Sequence, residues 1–140
     1  MRVTLPEVMI FLDSNVVFSA LLRDTATRRL LVVLKERGYR LVASPYVRDE
    51  VRRNVVDRYP HLREELSTVM GQIEIVPDAP LLHRVALAPA DRPVLGAALA
   101  CRADYLVTGN HRDFEHLYDT TLADTTIVST PTLARLLLKR

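Results

Sequence analysis

Asp13, Glu50, Asp91 and Asp113 each lie beside a short apolar run or open the helix that leads into one. Asp13 closes the run Val8-Met9-Ile10-Phe11-Leu12, and Asp113 lies just past Tyr105-Leu106-Val107. Glu50 rides the helical stretch that follows Leu41-Val42-Ala43, and Asp91 opens the one that leads into Tyr105. Carboxylates gathered without cysteine or histidine partners make a site for a hard, oxygen-seeking divalent cation. Such an ion acidifies a bound water and polarises a phosphate, so metal-dependent phosphodiester chemistry is the leading expectation. Close carboxylates also repel, so without metal some of them should hold protons. Metal binding should then release those protons and stabilise the fold.

The elements that must bring these residues together alternate along the chain. Strands are expected at about Val8 to Leu12, Arg40 to Ala43, Ile73 to Val76, Tyr105 to Thr108 and Thr126 to Val128. Helices are expected at Ser14 to Leu22, Thr27 to Arg37, after the Ser44-Pro45 start to about Arg58, from Pro60 to Gly71, from Asp91 to Arg102, over Asp113 to Leu117, and after Thr130-Pro131. The proline-rich stretch Pro77 to Ala90 reads as a connection with one helical turn at Leu82 to Val85. Alternation of this kind implies one α/β domain over residues 1–140, with three layers and about five parallel strands between helices. In such sheets the ligand crevice lies beyond the carboxyl ends of the strands, where the winding reverses. If the first and fourth strands are neighbours at that reversal, as in the order 3-2-1-4-5, Asp13 and the segment Thr108-Gly109-Asn110 face one crevice, and the helix bearing Glu50 starts at its edge.

Composition narrows the class. About half the residues (49%) are apolar, enough for a packed core rather than disorder. No apolar run approaches the roughly 20 residues that span a bilayer, and the start of the chain lacks a signal peptide's features, so a cytoplasmic protein is expected. The single cysteine, Cys101, excludes an internal disulfide and reads as a small buried side chain. The net charge is +2, but gathering four acids in one site leaves the remaining surface more basic than that total. Arginine greatly outnumbers lysine, which suits bidentate contact with phosphates.

Phe11-Leu12-Asp13-Ser14-Asn15-Val16 resembles the opening motif of PIN-domain ribonucleases, an Asp, a small hydroxyl residue and an Asn after the first strand. Ser44-Pro45-Tyr46-Val47-Arg48-Asp49-Glu50-Val51 resembles their second motif, and Asp91-Arg92-Pro93-Val94-Leu95-Gly96 their third acidic position. Tyr105-Leu106-Val107-Thr108-Gly109-Asn110-His111-Arg112-Asp113-Phe114 resembles the fourth. The match covers nearly the whole chain, and the nearest branch is that of toxin components of toxin–antitoxin pairs. Many members carry Asp where Asn110 stands; a subset has Asn there and an acid three positions on, as Asp113 stands here. The resemblance implies cleavage of single-stranded RNA with one or two Mg²⁺ or Mn²⁺ ions held by Asp13, Glu50, Asp91 and Asp113. It also implies 5′-phosphate and 3′-hydroxyl products, an antitoxin partner laid over apolar helices, and a homodimer. Val16 to Leu22 and Leu30 to Leu34 are the apolar stretches that could serve the antitoxin, with core packing as their other use.

Roles divide further. Glu50 is preferred to Asp49 because residues one apart on a helix point about 100° apart, and Val47 and Val51 flank the Glu50 side. Asp13 or Ser14 could cap the helix that follows, Asp91 could cap its own helix, and Asp113 could cap a helix beginning at Phe114. Ser14, Asn15, Thr108 and Asn110 are expected to brace the carboxylates. Arg48, His111 and Arg112, with Arg52 and Arg53 beside them, are candidates for positioning RNA phosphates, and Tyr46 and Phe114 for stacking bases. Two rival readings remain: a module of the same fold that binds RNA or a partner without cutting it, and a flavodoxin-like phosphoacceptor. The second needs a lysine at the end of the last strand, where Ile127-Val128-Ser129-Thr130 has none.

Overall fold

Consecutive strand residues are buried side by side, which requires a sheet covered on both faces. Ile10, Phe11 and Leu12, then Val42 and Ala43, Leu106 and Val107, and Ile127 and Val128 are all fully buried in the computed structural model, which describes residues 7–138. The two ends of the expected 1–140 domain, and the reading of the chain's start, lie outside the described residues. The element order is β1 (Met9–Leu12), α1 (Ser14–Leu21), α2 (Ala26–Glu36), β2 (Arg40–Ala43), α3 (Pro45–Arg58), α4 (Arg63–Met70), β3 (Glu74–Ile75), α5 (Arg92–Ala100), β4 (Tyr105–Val107), α6 (His111–Phe114), β5 (Thr121–Leu122), β6 (Thr125–Val128) and α7 (Thr130–Leu137). The sheet runs β3-β2-β1-β4-β6-β5. All pairings are parallel except β5 with β6.

This is the expected α/β/α architecture, with the expected fifth strand at β6 and one further edge strand. β5 and β6 are joined through Ala123 and Asp124, with Ala123 at φ 51°. Alanine seldom takes that left-handed conformation, and Ala-Asp is not a hairpin dipeptide, so nothing in the sequence announced the turn. Other boundaries move for local reasons. Pro60–Leu62 forms a 3₁₀ turn before α4, and Glu115–Leu117 another after α6. Ser129, not Thr130, caps α7 by accepting from the Thr132 amide. Ser44 caps α3 as expected, with Pro45 in its first turn.

The helical turn expected at Leu82 to Val85 does not form. Carbonyls in and just before it are bonded from outside: the Arg92 guanidinium donates to the Val85 oxygen at 3.1 Å, to the His83 oxygen at 3.5 Å and to the Leu81 oxygen at 3.3 Å. The segment therefore crosses α5 as an extended strap. Gly96 permits the crossing, since a Cβ there would stand 2.3 Å from the Ala79 carbonyl oxygen. The strap delivers the chain to Asp91, and the Tyr46 hydroxyl fastens its end by donating to the Ala90 carbonyl at 3.0 Å. Among the described residues no helix is long and apolar enough to cross a membrane.

Candidate functional site

The winding of the sheet reverses between β1 and β4, and Asp13 stands at that seam. Its backbone amide donates to the Val107 carbonyl at 3.1 Å, which carries the ladder one residue past β1. Its side chain is 3% exposed and fully engaged. Oδ1 accepts from the Ser14 amide at 2.7 Å, so Asp13 does cap α1. Oδ2 accepts from the Thr108 hydroxyl at 2.7 Å and from the Asn15 amide at 3.2 Å. A carboxylate offers about four lone-pair sites, so capping leaves room for a further ligand. Burial pushes the Asp13 carboxyl above its usual range; the Thr108, Ser14 and Asn15 bonds oppose that, and the charge of Glu50 adds to it.

Glu50 reaches the same seam from α3, where the Ser14 hydroxyl donates to its Oε1. Asp49 turns elsewhere and pairs with Arg48 at 3.3 Å and Arg52 at 3.9 Å. The choice of Glu50 over Asp49 agrees with this geometry.

Asp91 and Asp113 form the second half of the cluster. Asn110 joins them, its amide nitrogen donating to Asp113 Oδ2 at 2.9 Å and to Asp91 Oδ1 at 3.4 Å. Asp91 makes no side-chain cap, because its backbone sits at φ −93°, ψ −18° rather than in the extended region that folds a cap back onto the helix. Its Oδ2 is buried with no hydrogen-bond partner. Burial, then the neighbouring Asp113, raises the Asp91 carboxyl to about 7. Bonds from Asn110 and Asp91 hold Asp113 below its usual range, so the pair keeps its proton on Asp91. Asp113 is not a cap either: α6 begins two residues earlier than expected and Asn110 caps it, accepting from the Asp113 amide at 3.3 Å.

Thr108 links the halves. It accepts from the Asn110 amide at 3.0 Å while donating to Asp13. The charges of Asp13 and Glu50 also contribute to raising Asp91, so the four acids sense one another. Among the described residues, however, no three acidic, imidazole or thiol side chains are grouped closely enough to hold an ion between them. The carboxylates stand as two bridged pairs, Asp13 with Glu50 through the Ser14 hydroxyl and Asp91 with Asp113 through the Asn110 amide. The donor set still fits a hard cation, because a buried carboxylate oxygen lacks a partner and a Mg²⁺-like ion keeps several waters and takes one or two carboxylates.

The remaining candidates scatter. Arg48 is tied to Asp49, and His111 packs edge-on against Tyr118 with ring centres 5.4 Å apart. Arg112 stands at the rim, 91% exposed, 3.5 Å from Asp113. Phe114 is fully buried and cannot stack a base, and the Tyr46 hydroxyl serves the strap. Cys101 is half-buried rather than buried; its thiol donates to the Ala98 carbonyl at 3.4 Å, and burial pushes it up. Two contributors were not singled out. Gly109 donates its amide to Asn15 Oδ1 at 2.7 Å, which orients Asn15 toward Asp13. Tyr118 donates to the Thr108 carbonyl at 2.8 Å. A backbone amide has no sequence signature, and a lone tyrosine has little.

Comparisons agree with the residue reading. A family model described as the PIN domain matches residues 9–112. Among solved structures, VapBC2 from Rickettsia felis bound to a DNA fragment from their promoter shares the fold at TM-score 0.68 and 16% identity, covering 87% of this chain and 98% of that one. FitAB bound to the IR36 DNA fragment aligns at TM-score 0.57 and 18% identity, covering 86% and 94%. Comparison with curated proteins returns no match. With the family model spanning residues 9–112, most of the chain, the chain belongs to the PIN domain family of nucleases.

Proposed function

We propose that this protein is a divalent-metal-dependent endoribonuclease that cleaves single-stranded RNA, and that it is the toxin of a toxin–antitoxin pair. The observation that carries the reading is a buried Asp91 oxygen that receives no hydrogen bond, with Asp113 beside it and the Asp13–Glu50 pair at the same switch point of the sheet. Asp13, Glu50, Asp91 and Asp113 would hold one or two Mg²⁺ or Mn²⁺ ions. When bound, such an ion supplies an acidified water and neutralises charge building on the phosphate. Thr108, Asn15 and the Ser14 amide fix both oxygens of Asp13, and Asn110 sets the spacing of Asp91 and Asp113. Hydrolysis adds water across the P–O3′ bond. The water oxygen ends on a 5′-phosphate, one proton goes to the departing 3′ oxygen, and the other goes to solvent.

The partner half of the reading rests on two supports. The solved neighbours VapBC2 and FitAB were each captured on DNA, VapBC2 on its promoter. In this chain an apolar cleft of about 280 Å³ opens beside α2 and α4, lined by Leu31, Val32, Val69 and Ile73. Val32 is 51% exposed there, while Leu30, Leu31 and Leu34 serve mainly the core. An antitoxin helix with an apolar stripe suits that cleft.

The test is Asp13→Asn. Wild-type protein should cut single-stranded RNA with Mn²⁺ and not after chelation, and the variant should fold but lose the activity. Undiminished cleavage by Asp13→Asn removes the assignment. The separation of the acids into two pairs favours a second reading, a PIN module that binds without cutting. Titration calorimetry separates the two, because a non-cleaving module with this fold should take up no Mn²⁺.

A further inference from the structure

We infer that the cleft between α1 and α3 is the track along which the nucleic-acid strand runs away from the acid cluster, with Arg53 and Arg58 on its phosphates and the Phe18–Tyr59 pair under a base. This deepens the nuclease reading and rests on it for the position of the cut. The cleft has a volume of about 620 Å³ and begins at the site, where Ser14, Asn15 and Glu50 line it. From there one face of α3 continues it: Glu50, Arg53, Asn54, Asp57 and Arg58 stand at helical spacings of three, four, seven and eight from the first. Of the α3 arginines, Arg48 and Arg52 are occupied with Asp49. Arg53 and Arg58 are exposed and, among the described residues, form no ion pair or hydrogen bond. Unpaired guanidiniums next to a carboxylate cluster suit a polyanion that must be brought to it.

The α1 wall contributes one ring, Phe18, and Tyr59 packs against it from just beyond the cleft lining. The Phe18 ring lies 5.2 Å from that of Tyr59 at the end of α3, tilted by 52°. Tyr59 is 38% exposed, so the pair presents ring surface to solvent. A charged stripe beside exposed aromatic rings is how single strands are held without sequence readout, by phosphate contacts and base stacking. Asp57 does not oppose this arrangement if a base lies there, since its carboxylate and the Asn54 amide accept from base N–H groups. A duplex has no free base faces to stack, so the track selects single strands.

The experiment measures binding of a fluorescent single-stranded RNA oligonucleotide over a range of salt concentrations, with metal chelated so that nothing is cut. In parallel, Mn²⁺-dependent hydrolysis of bis(p-nitrophenyl) phosphate reports the acid cluster alone. The double variant Arg53→Gln/Arg58→Gln should bind the RNA about tenfold more weakly, with a log–log salt slope shallower by about 1.4, or about 0.7 per lost phosphate contact. Its hydrolysis of the small diester should be unchanged. Tyr59→Ala should weaken RNA binding about fivefold or more with the slope kept. Arg37→Gln, an exposed arginine at the far end of α2, is the control and should change neither. Wild-type affinity and slope in the double variant, or an equal loss in Arg37→Gln, overturns the track. A wild-type protein inert toward both substrates counts against the nuclease reading only, because the salt slopes still decide the track.

Discussion

The Thr108 hydroxyl donates to Asp13 Oδ2 across 2.7 Å, and this bond ties the carboxyl end of β4 to the carboxyl end of β1. Thr108 is fully buried and also receives the Asn110 amide, so one hydroxyl sets the distance between the two halves of the acid cluster. Thr108→Val keeps the shape and removes both bonds, together with a longer one from the Asn15 amide at 3.5 Å. It should cost about 1–3 kcal/mol of stability, since an acceptor and a donor lose their partner in a buried setting. Metal-dependent cleavage should fall further than stability does. Urea denaturation and RNA cleavage on the same preparation check the pair of outcomes.

Asp91 predicts a pH dependence. Its folded carboxyl is raised to about 7, above the ordinary 3.8, so the folded state holds its proton more tightly than the unfolded chain. The stability it contributes is present below about pH 4 and is lost as pH rises through about 7. Asp113 is shifted the other way, and its contribution is lost only below its usual range. Without metal, melting temperature should therefore fall between pH 4 and 7.5. Asp91→Asn should flatten that fall and be more stable than wild type at pH 8, where wild type buries an unpaired charge. Scanning fluorimetry across pH, with and without chelator, reads this directly.

The same proton should leave when metal enters. At pH 6 the Asp91–Asp113 pair still carries its proton, and a cation must displace it to use the partnerless oxygen. Mn²⁺ binding should release up to about one proton at pH 6 and close to none at pH 8.5. Titration calorimetry in two buffers of different ionisation enthalpy counts the protons. Equal enthalpies in both buffers at pH 6 would contradict the assignment of Asp91 as a ligand.

Gly96 tests the strap. An added Cβ would meet the Ala79 oxygen at 2.3 Å and the backbone of Pro80 and Leu81 at 2.7 Å, so Gly96→Ala must push the strap off α5. Overpacking of this kind costs about 1–3 kcal/mol. Because the strap leads directly into Asp91, metal affinity should drop as well. The relevant measurements are a denaturation midpoint and a Mn²⁺ titration. An unaltered variant would mean that the strap does not position the acid.

The alternation of apolar runs with amphipathic stretches determined the layered sheet, while the strand order and the candidate acids came from motifs that resemble the PIN family. A strand end is local: Leu12-Asp13 and Val107-Thr108 announce themselves by the change from apolar to polar. The choice of Glu50 over Asp49 drew on helix geometry, which lets one of two neighbours face the core side, and on the resembled motif's acid just before an apolar residue. What the amino-acid order did not contain were properties that arise between distant segments. Leu82 to Val85 stays extended because the Arg92 guanidinium, on the helix that the segment crosses, takes the Val85 and His83 carbonyls. Asp91 keeps a bare oxygen because its backbone angles, set by the strap, prevent it from capping. Arg48 and Arg52 are taken by Asp49 on their own helix, whereas the cleft that Arg53 and Arg58 line exists only once α3 lies against α1. Residue type says which chemistry a side chain can perform; burial and partners, which exist only after folding, decide whether that side chain is free to perform it.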